Sequence, residues 1–243
     1  MLVKSKIKYI QSLGQKKLRD NESVFIAEGP KIIDELLSSS VARILSIYAV
    51  KNWIEDYRHL AGKHELIEVS EDELGKISQL STPNQVLAIL QQFPAAEIAI
   101  ENNVSLMLDT IQDPGNLGTI IRIADWFGIS QVICSQECAD IYNPKVVQST
   151  MGSIARVKVL YTGLAEWLDQ HKDIRVYGAV LEGQDIRSAS KIHEGIIVIG
   201  NESKGISDEL MHRLNAKITI PRMGKAESLN AAVATGIILS HMI

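Results

Sequence analysis

The feature that most constrains this chain is a series of short apolar segments, each followed by a segment with a helical pattern. Several of these segments are apolar at consecutive positions, as in residues 196–199, Ile-Ile-Val-Ile. A strand that is apolar on both faces must be buried on both faces, as it is in the centre of a parallel sheet covered by helices. The sequence therefore predicts an α/β fold built on a doubly wound sheet.

The segments form two series, separated by a stretch without a clear period. This stretch, residues 93–103, contains Pro94 and is typical of a linker. We therefore predict a small α/β domain over residues 1–95, a linker over 96–103 and a larger α/β domain over 104–243. The predicted strands cover 23–29, 42–50, 64–70, 85–92, 104–109, 131–135, 155–161, 174–181, 195–200 and 216–221, and the predicted helices of the first domain cover 7–18, 30–37, 52–60 and 71–79.

Charge is unevenly distributed along the chain. The net charge of −4 argues against a protein that grips nucleic acid by bulk electrostatics. The first 19 residues nevertheless contain six basic side chains and no acidic one: Lys4, Lys6, Lys8, Lys16, Lys17 and Arg19. Such a run is consistent with a solvated helix face and equally with a surface that contacts phosphates, and the run alone does not decide.

Cysteine content and hydropathy exclude other classes of protein. Cys134 and Cys138 lack a second Cys or His pair that would complete a metal site, so we expect reduced structural cysteines, no metal and a cytoplasmic protein. No run of about 18 uncharged apolar residues is present, so we expect no membrane span. The N-terminal residues lack the continuous apolar stretch of a secretory signal.

Three polar, glycine-bearing loops follow predicted strands, where ligands bind in open α/β sheets. In the first, LDTIQDPGNLGTIIRIADWFG, Asp109 ends a strand and Asn116 is a candidate helix cap. Arg122 follows Asn116 by close to two helical turns. Taken alone, Arg122 also fits an ordinary surface arginine.

The second loop lies in IVIGNESKGISDEL. Gly200 follows a buried strand and would let a ligand lie against bare backbone. Ser207 is a predicted helix N-cap, because acidic residues follow it in the first turn. Asn201 and Glu202 are then polar groups at the end of a strand, although an ordinary β–α turn would look the same.

The third loop, IPRMGKAESLNAAV, leads into the last helix. Pro221 ends a strand, Gly224 gives the loop freedom, Ser228 is a candidate cap and Asn230 is expected in the first helical turn. None of the three loops contains GxxxxGK[ST] or GxGxxG, which disfavours a nucleotide triphosphatase and a dinucleotide-binding enzyme. The chain also lacks HExxH and GxSxG, so the corresponding hydrolases are disfavoured.

Together, in this order and spacing, the three loops resemble the SpoU/TrmH family of RNA ribose 2′-O-methyltransferases, within the SPOUT class. The segments that carry the resemblance are NLGTIIRIADWFG, VIGNESKGIS and IPRMGKAESLNAAVATGIIL, with NPKVVQSTMGSIARVKV between the first two. The resemblance covers residues 104–243. The N-terminal KIKYIQSLGQKKLRD and VFIAEGPKIIDELL are similar to the family's substrate-binding extension, which has the ribosomal L30e fold.

The resemblance implies a catalytic domain with a C-terminal trefoil knot, a rare exception to the rules of chain topology. It also implies S-adenosylmethionine as the methyl donor. Gly200, Ile220 and Leu229 match donor-contact positions of the family, and we expect Met223 and Gly224 to line the same pocket.

The implied reaction is attack of a ribose 2′-hydroxyl on the sulfonium methyl group. Catalysis then needs in-line positioning and the removal or polarisation of one proton. The residues that match catalytic positions of the family are Asn116, Arg122, Glu202, Ser228 and Asn230. We assign Arg122 to stabilising the developing alkoxide, because a guanidinium with a pKa above about 12 is a poor base.

The chain departs from the family pattern at two positions, Arg222 and Gln148. Arg222 stands between proline and methionine, and Gln148 occupies a position that is frequently basic. As partners, the resemblance implies RNA, more readily ribosomal than transfer RNA, and a homodimer with active sites near the interface. The alternative function is a non-catalytic RNA-binding protein that retains the methyltransferase fold.

Overall fold

The computed structural model describes residues 1–57 and 64–243. The chain forms two compact units and has an α/β architecture, as predicted. Unit 1 comprises residues 1–94 and 142–155, and unit 2 comprises residues 95–141 and 156–243. The strands follow the predicted segments closely, because strands that are buried on both faces leave long apolar runs in the sequence.

Unit 1 contains a four-stranded mixed sheet in the order β1-β4-β2-β3. Strand β4 is antiparallel to both β1 and β2, whereas β2 and β3 are parallel. Its strands are β1 (Val24–Glu28), β2 (Ile44–Ala49), β3 (Glu65–Glu68) and β4 (Val86–Gln91), and its helices are α1 (Lys4–Ser12), α2 (Lys16–Glu22), α3 (Pro30–Leu37), α4 (Lys51–Asp56), α5 (Glu71–Ile77) and α7 (Pro144–Thr150).

The predicted helix over residues 7–18 was wrong, because the chain forms two helices there, α1 and α2. Arg19 explains the break. Its side chain is buried, and Nη1 donates to the carbonyl oxygens of Leu13 (2.9 Å) and Gly14 (2.8 Å) at the end of α1. Arg19 therefore stabilises a turn and does not belong to a basic surface. Of the predicted helix over 52–60, residues 58–60 lie outside the described part of the chain.

Residues 142–155 come from the second half of the chain and pack into unit 1. The ring of Tyr142 lies against Phe25 of β1, with 5.0 Å between the ring centroids. Its hydroxyl accepts a hydrogen bond from the backbone N–H of Phe93 (2.8 Å). Unit 1 is thus discontinuous along the chain, which the sequence pattern did not indicate.

Unit 2 contains a six-stranded, all-parallel sheet in the order β10-β8-β9-β5-β6-β7. All five residues of β9 are buried. The strands are β5 (Val104–Leu108), β6 (Gln131–Cys134), β7 (Lys158–Tyr161), β8 (Val176–Asp185), β9 (Gly195–Ile199) and β10 (Ala216–Thr219), and the helices are α6 (Pro114–Trp126), α8 (Leu164–Gln170), α9 (Asp208–Met211) and α10 (Ala231–Met242).

Strands β8 and β10 pair with an abrupt change of register. Lys217 lies opposite Gly178, but the next residue, Ile218, lies opposite Gln184. The backbones approach so closely here that a Cβ atom on Gly183 would lie 2.7 Å from the carbonyl carbon of Lys217. The last strand, β10, is therefore paired with β8 at very close range. The trefoil knot that the resemblance implies stays a prediction.

The predicted linker is partly fixed to unit 2. The backbone N–H of Ala99 donates to Oε1 of the buried Gln131 (3.0 Å), and Nε2 of Gln131 donates to the carbonyl oxygen of Ala99. Among the helices that the structure describes, none is long and apolar enough to cross a membrane.

Candidate active site

Three loops at the carboxyl ends of strands meet through the side chain of Asn116. We call residues 109–116, which end in the first turn of α6, the first loop, 200–207 the second loop and 220–230 the third loop. Asn116 Nδ2 donates to Glu202 Oε1 (2.5 Å), and Asn116 Oδ1 accepts from Asn230 Nδ2 (2.8 Å). Three of the five predicted catalytic residues therefore form one hydrogen-bonded chain, which we call the amide network.

Asn116 takes part in this network because another residue caps its helix. The N-cap of α6 is Asp113, not Asn116 as predicted: Asp113 Oδ1 accepts from the backbone N–H of Asn116 (2.8 Å). Pro114 occupies the first helical position, where its missing N–H costs nothing. The side-chain amide of Asn116, one turn into the helix, is thus left to join the other two loops.

The cap of α10 was also misplaced. Asn230, which we expected in the first helical turn, is the N-cap, and its Oδ1 accepts from the backbone N–H groups of Ala232 (3.0 Å) and Val233 (3.2 Å). Its Nδ2 is then directed to Asn116. Ser228, the predicted cap, is exposed and makes no hydrogen bond within the described part of the chain.

Gly200 is required for a reason other than the predicted one. A Cβ atom on Gly200 would lie 2.3 Å from the carbonyl carbon of Gly205, because the second loop folds back onto itself. Asn201 and Gly205 exchange two backbone hydrogen bonds of 2.9 Å in this turn. The space on the Cβ side of Gly200 is therefore filled by the loop's own backbone. Its role as a backbone contact to the donor stays a prediction.

Sequence reasoning assigned no role to two residues that hold the second loop, Asp109 and Asn201. Asp109 is buried, and its Oδ2 accepts from the backbone N–H of Ser207 (2.7 Å). Asn201 Nδ2 donates to the carbonyl oxygen of Thr110 (2.8 Å). The sequence did carry a local signal for both residues. Asp109 directly follows the buried strand β5, and Asn201 follows Gly200 at the end of the buried strand β9. Ser207 is the N-cap position of α9, as predicted, but its side chain makes no capping bond.

The third loop is open to solvent. Met223 is 92% exposed and Leu229 is 45% exposed. Within the described residues, no backbone N–H from 222 to 229 donates a hydrogen bond, and the loop's one internal side-chain bond runs from Arg222 Nη1 to the carbonyl oxygen of Ala226 (3.3 Å). No hydrogen bond in the described ranges joins Ile220, Met223, Gly224 or Leu229 to the amide network.

The chemistry of the third loop fits S-adenosylmethionine. Free backbone N–H groups and exposed apolar side chains lie in the same short segment. Adenine offers acceptor nitrogens at its edge and an apolar face, so it matches such a surface. The residues that would hold the donor are the predicted contacts Ile220, Met223, Gly224 and Leu229.

Arg122 lies on the exposed face of α6 and is not part of the amide network. Asp125, three residues further along the helix, is its natural partner, but Arg156 already binds both carboxylate oxygens of Asp125 (2.8–3.1 Å). Over residues 1–57 and 64–243, Arg122 has neither a hydrogen bond nor an ion pair. Its guanidinium therefore remains available to a phosphate or a developing alkoxide.

Cys134 and Cys138 are both buried, and neither forms a disulfide bond. Cys138 Sγ accepts from the backbone N–H of Ile111 (3.2 Å). The hydrogen bond between the two thiols lowers the pKa of Cys138 and, together with burial, raises the pKa of Cys134. These contacts give the two cysteines a structural role.

A separate cavity of about 170 Å³ lies at the ends of β5, β6 and β7. Its lining includes four carboxylates, those of Asp109, Glu137, Glu166 and Glu209. The predicted donor contacts are not among the described residues that line it. In the described ranges, no group of three or more His, Cys, Asp or Glu side chains is placed to hold a metal ion.

Comparison with protein families gives two matches in chain order. Residues 4–88 match the MRM3-like substrate binding domain, and residues 103–240 match the SpoU rRNA methylase family. The second match covers more than half of the chain and includes all of the residues in the amide network.

Individual relatives agree with these matches. The chain is 31% identical over 240 residues to the 23S rRNA (guanosine(2553)-2′-O)-methyltransferase RlmP of Bacillus subtilis, covering 98% of this chain and 95% of that protein. It is 31% identical over 184 residues to the 23S rRNA (uridine(2479)-2′-O)-methyltransferase of Streptomyces viridochromogenes, covering 70% of this chain and 63% of that protein.

Among solved structures, the AdoMet-bound rRNA methyltransferase of Sinorhizobium meliloti is similar, with a TM-score of 0.88, 31% identity and coverage of 99% of this chain and 95% of that one. The fold, the amide network and these matches lead to one conclusion: the chain belongs to the SpoU rRNA methylase family.

Proposed function

We propose that this protein transfers a methyl group from S-adenosylmethionine to a ribose 2′-hydroxyl in ribosomal RNA. The observation that carries the proposal is the amide network, in which Asn116, Glu202 and Asn230 join the three loops that match the family. The relatives named above are 2′-O-methyltransferases of 23S rRNA. A non-catalytic RNA-binding protein is not favoured, because such a protein would have no need to retain this network.

The donor supplies an activated methyl group on a positively charged sulfur, so the protein need not activate it further. We propose that the third loop and the backbone of Gly200 hold the donor. We propose that Glu202, directly after Asn201 in the second loop, lies near the positive charge of the donor and attracts it. The amide network fixes the orientation of this carboxylate before the donor binds.

We assign Arg122 to the oxygen that attacks. As the O–C bond forms and the S–C bond breaks, the 2′-hydroxyl loses its proton, which passes to water or to an adjacent phosphate. Arg122 does not take this proton, because a guanidinium stays protonated in proteins. It stabilises the negative charge that develops on the oxygen, a role that suits a guanidinium with no carboxylate partner among the described residues. Ser228, within the third loop, is proposed as a further polar contact.

We propose that residues 1–95 bind RNA, as the match to a substrate-binding domain suggests. Lys4, Lys8, Lys16 and Lys17 are exposed, whereas Lys6 lies over the ring of Tyr9, 5.4 Å from its centroid. Neutralising Lys4 and Lys8 should reduce the slope of log affinity for RNA against log salt concentration. An unchanged slope would show that these lysines only form a solvated helix face. A cytoplasmic location stays a prediction.

We propose a homodimer, as the resemblance implies. Helices α6 and α10 pack together, and each leaves a large apolar side chain exposed: Trp126 is 85% exposed and Val233 is 51% exposed. Apolar surface of this kind on a helix pair is typical of a subunit interface. The molar mass in solution, measured by light scattering, checks this proposal: a monomeric mass at micromolar concentration would contradict it.

The experiment that tests the function maps 2′-O-methyl groups in total RNA with and without this gene. We expect one or more marks in 23S rRNA to disappear and to return with the wild-type gene. Arg122→Ala should restore them poorly, with a rate about 10²–10³ times lower in vitro, and should bind the donor normally. Arg187→Ala is the matched control, because this exposed arginine is paired with Asp185 away from the network. An unchanged map would refute the proposal.

A further inference from the structure

We infer that Asp109, Thr110 and Asn201 form a clamp that positions the second loop for donor binding. The inference rests on the proposed function, because the second loop is the one that carries Gly200 and Glu202. None of the three residues is assigned to contact the reacting atoms, so they are positioning residues. Their contacts span more than 90 residues of sequence.

Thr110 has an unusual backbone conformation. Its φ angle is +60°, in the left-handed region that favours glycine. A β-branched side chain is a genuine outlier there and raises the free energy of the fold. Strain of this kind persists only where the surroundings hold it, and it concentrates at functional sites. The position of Thr110, immediately after β5 and before the loop that leads to Asn116, fits this pattern.

Every polar group of Thr110 makes a hydrogen bond. Its backbone N–H donates to Ser135 Oγ (3.1 Å), and its hydroxyl donates to Asp109 Oδ1 (3.0 Å). Its carbonyl oxygen accepts from Asn201 Nδ2 (2.8 Å). The strained conformation thus presents this carbonyl to the second loop.

The second loop is held at both ends. Asn201 Oδ1 accepts from the backbone N–H groups of Ser203 (2.9 Å) and Lys204 (3.1 Å), while Nδ2 anchors it to Thr110. At the other end, the N–H of Ser207 donates to Asp109. These bonds fix the shape of the second loop and its position relative to the first loop. Glu202 is thereby placed within hydrogen-bonding distance of Asn116.

The two functions of Asn201 can be separated with a nearly isosteric substitution. Asn201→Asp keeps an oxygen that can accept from Ser203 and Lys204, but its second carboxylate oxygen cannot donate to Thr110. The loop should retain its shape and lose its anchor. Because S-adenosylmethionine carries a net positive charge, the added negative charge cannot explain weaker binding.

The experiment measures the Kd for S-adenosylmethionine by calorimetry and the melting temperature of the same samples. We expect Asn201→Asp to weaken donor binding by about tenfold, the usual effect of losing one partly buried hydrogen bond, with a melting temperature close to that of the wild type. Asn102→Asp, an identical change at an exposed loop position, should bind the donor normally. Donor binding by Asn201→Asp within about threefold of the wild type overturns the clamp.

Asp109→Asn tests the clamp from its other end and covers the case in which Asn201→Asp does not fold. Ser207 donates to Oδ2 of Asp109 and the Thr110 hydroxyl donates to Oδ1. Asparagine replaces one of these two oxygens with an NH₂ group, so one of the two bonds is lost. We expect donor binding to weaken by about threefold to tenfold; an unchanged Kd overturns the clamp. Absence of donor binding by the wild type would instead contradict the proposed function, so the two failures are distinguishable.

Discussion

The second and third loops carry the predicted donor contacts but are built in opposite ways. The second loop is closed by backbone bonds between Asn201 and Gly205 and is anchored to the first loop at both ends. The third loop is exposed, and its backbone N–H groups from 222 to 229 donate no hydrogen bond within the described residues. The second loop is therefore ordered before a ligand binds, whereas we expect the third loop to become ordered when a ligand binds.

The difference suggests that the anchored region positions the catalytic side chains, whereas the third loop binds the donor. The groups that we propose to be aligned for methyl transfer, Asn116 and Glu202, lie in the anchored region, where little conformational entropy remains to be lost. The proposed donor contacts of the third loop lie where the backbone N–H groups have no partner among the described residues, so an adenine could satisfy them. We infer that substitutions in the anchored region reduce catalysis strongly, whereas substitutions in the third loop have small effects on stability.

The largest effect is expected at Asn116. Asn116→Ala removes the junction of the amide network and leaves Glu202 and Asn230 without their shared partner. We expect the single-turnover rate on ribosomal RNA from a strain without the gene to fall by about 10²-fold at saturating donor.

A double-mutant cycle with Glu202→Gln sharpens this prediction. If the two side chains act through the hydrogen bond between them, their coupling should be about 0.5–3 kcal/mol in the activation free energy. Additive effects would show that they act independently, and the network would then not be a functional unit.

An intermediate effect is expected from a matched pair of glycines, one in each loop. In Gly200→Ala the new methyl group would lie 2.3 Å from the backbone of Gly205, so the second loop must move. We expect a loss of about 1–3 kcal/mol in the free energy of unfolding and a donor Kd at least about tenfold weaker.

Gly224→Ala is the control, because no described residue apart from the chain neighbours lies within 4 Å of the added Cβ. Its free energy of unfolding should change by less than about 0.5 kcal/mol. Equal destabilisation by the two substitutions, measured by denaturant unfolding, would remove the contrast between the loops.

The smallest effect is expected at Arg222. Its bond to the carbonyl oxygen of Ala226 is long (3.3 Å) and exposed. Arg222→Ala should change the free energy of unfolding by less than about 0.5 kcal/mol and the donor Kd by less than about threefold. A larger loss of donor affinity would show that the third loop is ordered before the donor binds.

The strands and the three loops could be predicted from sequence because their signals are local. An apolar run such as residues 195–199 is visible in the sequence, and so is a polar loop that follows it. The caps of α6 and α10 could not be predicted reliably. Two residues of capping types stand close together at the start of each helix, Asp113 with Asn116 and Ser228 with Asn230, and tertiary contacts decide which one caps.

Contacts between distant parts of the chain left no local signal. The hydrogen bond from Asn201 to Thr110 joins residues 91 positions apart. Residues 142–155 fall within the predicted second domain, and nothing in them indicates that they pack against Phe25 of β1. The same limit hid the buried role of Arg19, which lies among exposed lysines in the sequence.

The most direct test of a formed second loop and an open third loop is hydrogen–deuterium exchange of the protein alone and with saturating S-adenosylmethionine. We predict that the amides of Ser203, Lys204 and Ser207 exchange slowly in the free protein, and that residues 222–229 exchange fast and become protected when the donor binds. Slow exchange of residues 222–229 without the donor, or no protection with it, would contradict this account.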